Sequence, residues 1–170
     1  MKGIKKIVII IVLSILVVLA YFQLVYNPCG YGSAKGFFNN SSQHEYSLVI
    51  VNEGSHFKDS VTRILVNYYE PELVQVKVIP LTSLSKLKVK DFSAVVVLHS
   101  WHTWNPPPEV ASFIKEQRAC LNKIVVLTTS SEGTLKMDEV DAITGASRVE
   151  EATKYANKII EKVNPLLGLE

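Results

Sequence analysis

A three-layer α/β/α domain on a parallel sheet is the fold class this sequence predicts, and three observations predict it. Short runs rich in Val and Ile are solidly apolar, as strands buried on both faces are. Between them, apolar residues recur at helical spacing. Polar segments bearing Gly, Pro, Asn and Ser separate the two kinds of run. Strands that alternate with helices in this way build a doubly wound sheet, with ligands beyond the carboxyl ends of its strands.

Before that domain comes an N-terminal segment of another kind. Lys2, Lys5 and Lys6 precede an uncharged run from Ile7 to Val25, broken only by Ser14 and Gln23. As a helix this run is about 28 Å long, enough to cross the hydrocarbon core of a bilayer. A cleaved signal peptide shares the basic start, but the run is longer than an ordinary apolar core and no small-residue cleavage site follows it. The expectation is a transmembrane signal-anchor over residues 1–26, with its N-terminus in the cytoplasm by the positive-inside rule and the folded part outside. That implies a single-pass protein of the cell membrane. Residues 27–45 lack an apolar period and read as a linker, and residues 46–170 hold the domain.

The elements follow in order. Tyr46–Val51 is the first strand, and Phe57, Val61, Ile64, Leu65 and Tyr68 mark a helix that Pro71 ends. Val74–Ile79 is the second strand and Phe92–Leu98 the third. Pro106-Pro107-Pro108 opens a helix carrying Val110, Phe113 and Ile114 inward, since proline is tolerated in a first turn. Lys123–Thr128 is the fourth strand. Val149, Ala152, Ala156, Ile159, Ile160 and Val163 mark a last helix, which Asn164-Pro165 terminates. Only about ten residues separate the fourth strand from Val140–Ile143, fewer than a helical crossover takes. A fifth strand there is rudimentary, or the chain crosses without a helix, so the sheet has four to five strands.

With 18 Lys and Arg against 16 Asp and Glu, net charge +2, and no basic stripe interleaved with aromatics, nucleic acid is excluded as a partner. Cys29 and Cys120 could pair in an oxidising space, but Cys29 borders the anchor, which favours one tether cysteine and one buried thiol. No hydrolase elbow, P-loop or dinucleotide fingerprint is present.

Asp91-Phe92, the strand after it, the loop with Trp101 and Trp104, and Val110–Ile114 resemble the third strand, aromatic loop and following helix of flavodoxins. Lys123–Thr129 with Ser130, Ser131 and Gly133 resembles their fourth strand and polar loop. The resemblance implies a flavodoxin-like domain, FMN as cofactor, ring contacts from Trp101 and Trp104, polar contacts from Ser55, Thr129 and Ser130, and electron transfer to a redox partner at the membrane surface. The first loop departs from the family: Asn52-Glu53-Gly54-Ser55-His56 offers one hydroxyl, and Glu53 sets a negative charge where the FMN phosphate belongs. A non-catalytic module that has lost its flavin site, and recognises a protein or envelope component, is the alternative.

Two smaller signals complete the inventory. Asp141–Ser147 resembles the acceptor sequence on which flavin transferases attach FMN, with Ser147 as acceptor. Ser147-Arg148-Val149-Glu150 equally fits a capping box at the start of the last helix. His56, His99 and His102 all follow strands at one predicted edge, where three converging imidazoles would suit Zn²⁺ or Cu²⁺. A solvated loop histidine is the simpler fate of each.

Overall fold

A computed structural model describes residues 2–26, 45–72, 74–140 and 142–169. The chain divides into two units, Met1–Gly30 and Tyr31–Glu170. The first contains one helix, α1 (Lys2–Tyr26), of 25 residues. Its isoleucines, leucines and valines from Ile9 to Leu19 are half exposed or more. Among the described residues no helix is long and apolar enough to cross a membrane. The linker expected over residues 27–45 lies almost wholly outside the described residues.

In the second unit five strands form one sheet: β1 (Tyr46–Asn52), β2 (Val74–Pro80), β3 (Ala94–Ser100), β4 (Ile124–Thr129) and β5 (Ala142–Gly145). Their order is β2-β1-β3-β4-β5 and every pairing is parallel. This is the flavodoxin-like order, whose switch point lies between β1 and β3. Three helices accompany it: α2 (His56–Tyr69), α3 (Pro108–Glu116) and α4 (Ala152–Val163).

Side chains alternate along the strands. Leu48, Ile50, Val96, Leu98, Val125, Leu127 and Ile143 form one core with Phe57, Val61 and Leu65 of α2 and Ala156, Ile159 and Val163 of α4. The intervening Val49, Val51, Val95, Val97 and Val126 are equally buried, with Val110, Phe113 and Ile114 of α3 and Leu84 and Val89 also inside. Single residues of β1, β3 and β4 thus alternate between two apolar layers, which is why these runs read as solidly apolar.

The domain is a trimmed version of the fold. The β2–β3 connection holds two 3₁₀ turns, Leu81–Lys86 and Val89–Asp91, where a longer helix is usual. Among the described residues between β4 and β5 no helix intervenes, and β5 is four residues long, so both halves of the expectation hold. Gly133 makes this short crossing possible. It sits at φ +71°, and a Cβ there would lie 2.7 Å from the Ala146 amide nitrogen.

Three expectations are corrected. Strands three and four sit one to two residues later than their apolar runs suggest, at Ala94–Ser100 and Ile124–Thr129, carrying His99 and Thr129 into the ladder. Ser147 does not cap the last helix. Arg148 is extended (φ −104°, ψ 120°), a 3₁₀ turn at Val149–Glu151 intervenes, and the capping box cannot close across a non-helical residue. Cys120 is disulfide-bonded and not a free thiol, while Cys29 lies outside the described residues.

Candidate functional site

Four segments meet at the carboxyl end of the sheet: the β1–α2 loop, the β3–α3 loop, the start of the β4–β5 connection, and the turn after β5. The first is closed on itself. Asn52 Oδ1 accepts from the Gly54 amide at 2.8 Å, and Asn52 Nδ2 donates to Asp59 Oδ1 at 2.8 Å and Thr62 Oγ1 at 3.2 Å. The Glu53 amide donates to Leu98 O at 3.2 Å. Ser55 is the N-cap of α2, its hydroxyl accepting from the Lys58 amide at 3.2 Å.

Glu53 fills what remains. Its Oε2 lies 3.1 Å from Lys58 Nζ and accepts from the Ser100 amide at 2.7 Å. Its Oε1 is 2.5 Å from His102 Nε2; a carboxylate only accepts, so Nε2 carries the proton. Burial pushes the Glu53 carboxyl up, but the His102 and Ser100 hydrogen bonds and the Lys58 ammonium outweigh it and hold the group below its ordinary 4.5. The Lys58 side chain is 1% exposed and also donates to Ser100 Oγ at 2.6 Å.

From Ser100 a row of hydroxyls crosses the sheet. Ser100 Oγ lies 3.2 Å from Thr129 Oγ1, and Ser147 Oγ donates to Thr129 Oγ1 at 2.9 Å. The Trp101 amide donates to Thr129 O at 2.7 Å, and the Ser130 amide to Gly145 O at 3.1 Å, so the loops after β3, β4 and β5 are tied together. They enclose an open cavity of about 300 Å³ lined by Ser100, Trp101, Thr129, Ser130, Ser131, Ala146, Ser147 and Arg148. Four residues expected at a site are therefore brought together: Trp101, Thr129, Ser130 and Ser147. Ser55 is spent on its helix cap. Trp104 is 78% exposed at the tip of a two-residue turn and does not line the cavity.

That turn is strained. His102 and Asn105 exchange backbone hydrogen bonds at 2.8 and 3.0 Å, and Thr103 and Trp104 between them have φ of 48° and 66°. Positive φ at both central positions is the type I′ condition, ordinarily met by Asn and Gly.

The three histidines do not converge. His99 is fully buried, its Nδ1–H donating to Ser100 O at 3.1 Å, and burial pulls its pKa down so that the ring is neutral. His102 serves Glu53, and His56 begins α2. Among the described residues no group of three or more His, Cys, Asp or Glu side chains is placed to hold a metal ion. His99 Nε2, Thr128 Oγ1 and Trp101 Nε1 are buried without a hydrogen-bond partner among the described residues; His99 and Thr128 are direct neighbours on β3 and β4.

Lys58, Ser100 and Arg148 were not anticipated at the site, and Ser131 was placed in the polar loop without a role. Lys58 had a signal: it precedes Thr62, Leu65 and Tyr69 at helical spacing, and all three are buried. Gly145 has a structural reason independent of any cofactor. A Cβ there would lie 2.1 Å from the Tyr155 hydroxyl, so α4 packs directly on the β5 backbone. Ala142–Gly145 of the acceptor-like segment are thus strand, and the Ser147 hydroxyl is engaged with Thr129.

Strand order and the position of the crevice define a flavodoxin-like α/β domain. Among solved structures the chain is similar to the flavodiiron protein from Giardia intestinalis, with a TM-score of 0.49 and 12% identity over 72% of this chain and 36% of that one. It is similar to a flavodoxin from the domain Archaea at a TM-score of 0.46 and 13% identity, covering 71% and 97%. The rubredoxin oxygen:oxidoreductase from Desulfovibrio gigas gives 0.44 and 13%, covering 71% and 36%. The chain spans about a third of the length of the first and third of these. At such scores the likeness carries no argument, and the fold class rests on the strand order. No protein-family model and no curated protein matches the chain.

The residues present do not fit the phosphate of FMN bound in the first loop. The Gly54 and Glu53 amides are already donated, Ser55 caps its own helix, and Lys58, the buried cation, is paired with Glu53. A phosphate dianion there would meet the Glu53 carboxylate.

Proposed function

We propose that the chain is a membrane-anchored, flavodoxin-like binding module whose ligand crevice lies over the ends of β3, β4 and β5. The observation that carries this reading is the contrast at the sheet edge. Glu53 occupies the first loop from within, whereas the hydroxyl-lined cavity beside Trp101 stays open. Anchoring rests on the apolar run Ile7–Val25 behind three lysines, within the 25-residue helix α1. The disulfide at Cys120 is in keeping with an oxidising, extracytoplasmic compartment. An envelope or redox protein is the partner class this reading carries.

Electron transfer through FMN is the second reading, favoured by Trp101 at the crevice wall and Trp104 in the same loop. Bound flavin would supply one-electron chemistry. The chain's part would be to hold the ring against Trp101 with Thr129 and Ser130 as polar contacts, without a phosphate grip from the first loop. Covalent attachment at Ser147 belongs to this reading.

Flavin titration of the full-length chain in detergent micelles separates the two. FMN and riboflavin are each added, with flavin fluorescence and visible absorbance as readouts. The binding-module reading expects no quenching and a colourless protein after co-expression with a flavin transferase. Tight FMN uptake, or flavin absorbance that survives acid precipitation and vanishes in Ser147→Ala, favours electron transfer instead.

A further inference from the structure

Resting on the binding-module reading, the chemistry of the crevice points to its ligand: we infer that it takes the phosphate group of a small organic ester, held by Arg148 and the hydroxyls of Ser130, Ser131 and Ser147. Hydrogen-bond accounting around the cavity leads there. Ser130 Oγ accepts from the Gly133 amide at 3.0 Å, which leaves its own O–H to donate. Ser131 Oγ has no hydrogen bond to any described residue and lines the cavity. Ser147 donates to Thr129, and its hydroxyl can turn to a stronger acceptor at the cost of one neutral hydrogen bond.

Arg148 supplies the charge. Its guanidinium makes no ion pair or hydrogen bond with a described residue, although it lines the same cavity. It stands immediately before the 3₁₀ turn Val149–Glu151, whose own Glu150 and Glu151 answer the positive end of the helical run, so the charge offered to a ligand is that of the guanidinium. Among the described residues no Asp or Glu lines the cavity. An unpaired guanidinium and three serine hydroxyls, with no carboxylate among the described residues lining the cavity, select an oxyanion.

Phosphate fits better than carboxylate on the number and origin of the donors. They come from two separate loops, after β4 and after β5, whereas a planar carboxylate presents its two acceptor oxygens in a single plane. A phosphate monoester offers three. The cavity of about 300 Å³ is at the lower end of ligand pockets, leaving room beside the phosphate for a small organic body against the Trp101 ring. This site is separate from the first loop, where Glu53 is the resident anion.

The test is isothermal titration of the full-length chain in detergent micelles with inorganic phosphate, glycerol phosphate, acetate and riboflavin. The expected result is binding of both phosphates and not of acetate, weakened about tenfold or more by Arg148→Ala and less by Arg148→Lys. Arg118→Ala, which breaks an exposed pair with Glu139 outside the cavity, leaves the affinity unchanged. Intrinsic tryptophan fluorescence verifies that each variant is folded, and Ser131→Ala provides a milder second variant with a few-fold loss. Phosphate affinity indifferent to Arg148→Ala and Ser131→Ala overturns the assignment, as does acetate bound as tightly as phosphate. Failure to bind either phosphate or riboflavin overturns the phosphate assignment and leaves the binding-module reading with a different ligand. Riboflavin bound without phosphate overturns both.

Discussion

The first loop and the crevice sit side by side on one sheet edge and solve opposite problems. In the first loop every strong group is matched from within: Glu53 with Lys58, Ser100 and His102, and Asn52 with Gly54, Asp59 and Thr62. Around the crevice Arg148 and Ser131 have no partner among the described residues, and the Ser130 proton is uncommitted. The difference teaches that a parallel sheet offers several positions for an anion at its carboxyl edge, and that a chain can neutralise one while leaving another open. Glu53 stands in the first loop as the protein's own anion.

The largest effect comes from breaking the closed half. Glu53→Ala leaves the Lys58 ammonium, 1% exposed, without its counter-charge, and removing one partner of a buried pair costs about 3–5 kcal/mol. Lys58→Met costs less, because Glu53 is 16% exposed and keeps its hydrogen bonds from Ser100 and His102. The double variant Glu53→Gln with Lys58→Met removes both charges and recovers most of the loss. Urea unfolding followed by tryptophan fluorescence measures all three. A Glu53→Ala variant within about 0.5 kcal/mol of the parent removes the claim that the first loop is internally neutralised.

A smaller effect probes the support under the open half. Gly145→Ala drives a methyl group into the Tyr155 ring, whose hydroxyl and nearest carbons would lie 2.1–2.6 Å away. Overpacking of this kind costs about 1–3 kcal/mol. Tyr155→Phe does not relieve it, because ring carbons clash as well as the hydroxyl; adding Tyr155→Ala to Gly145→Ala does. A Gly145→Ala variant as stable as the parent shows that α4 does not rest on the β5 backbone in this way.

Legibility in the sequence followed the same division. Tyr46–Val51, Phe92–Leu98 and Lys123–Thr128 announced central strands because both faces are buried, and a solid apolar run needs no tertiary information to recognise. Trp101, Thr129 and Ser130 were legible through the flavodoxin resemblance and Ser147 through the acceptor-like motif, and the strand order explains why their loops share an edge. The Lys58–Glu53 pair was not, since a charged residue in a first helical turn reads as solvated until the loop beside it folds back. The Ser147 cap failed for a related reason. Ser147-x-x-Glu150 satisfies a local rule, but Arg148 is extended and the hydroxyl is bonded to Thr129, 18 residues away. Local patterns located the elements, and contacts between distant loops decided their polar chemistry.

The smallest effect concerns a part of the edge that belongs to neither half. Thr103 holds φ 48° in the turn that presents Trp104, and a β-branched residue there is strained by about 1–3 kcal/mol. Glycine removes that strain but gives the unfolded chain more freedom, which returns roughly 0.5–1 kcal/mol of the gain. Thr103→Gly therefore stabilises the domain by about 1 kcal/mol, read as a higher urea midpoint at unchanged slope. Phosphate affinity stays the same, because neither Thr103 nor Trp104 lines the cavity. A fall in stability means that the turn is held by contacts stronger than its backbone strain. A fall in phosphate affinity joins the Trp104 turn to the crevice and moves the boundary between the closed and open halves.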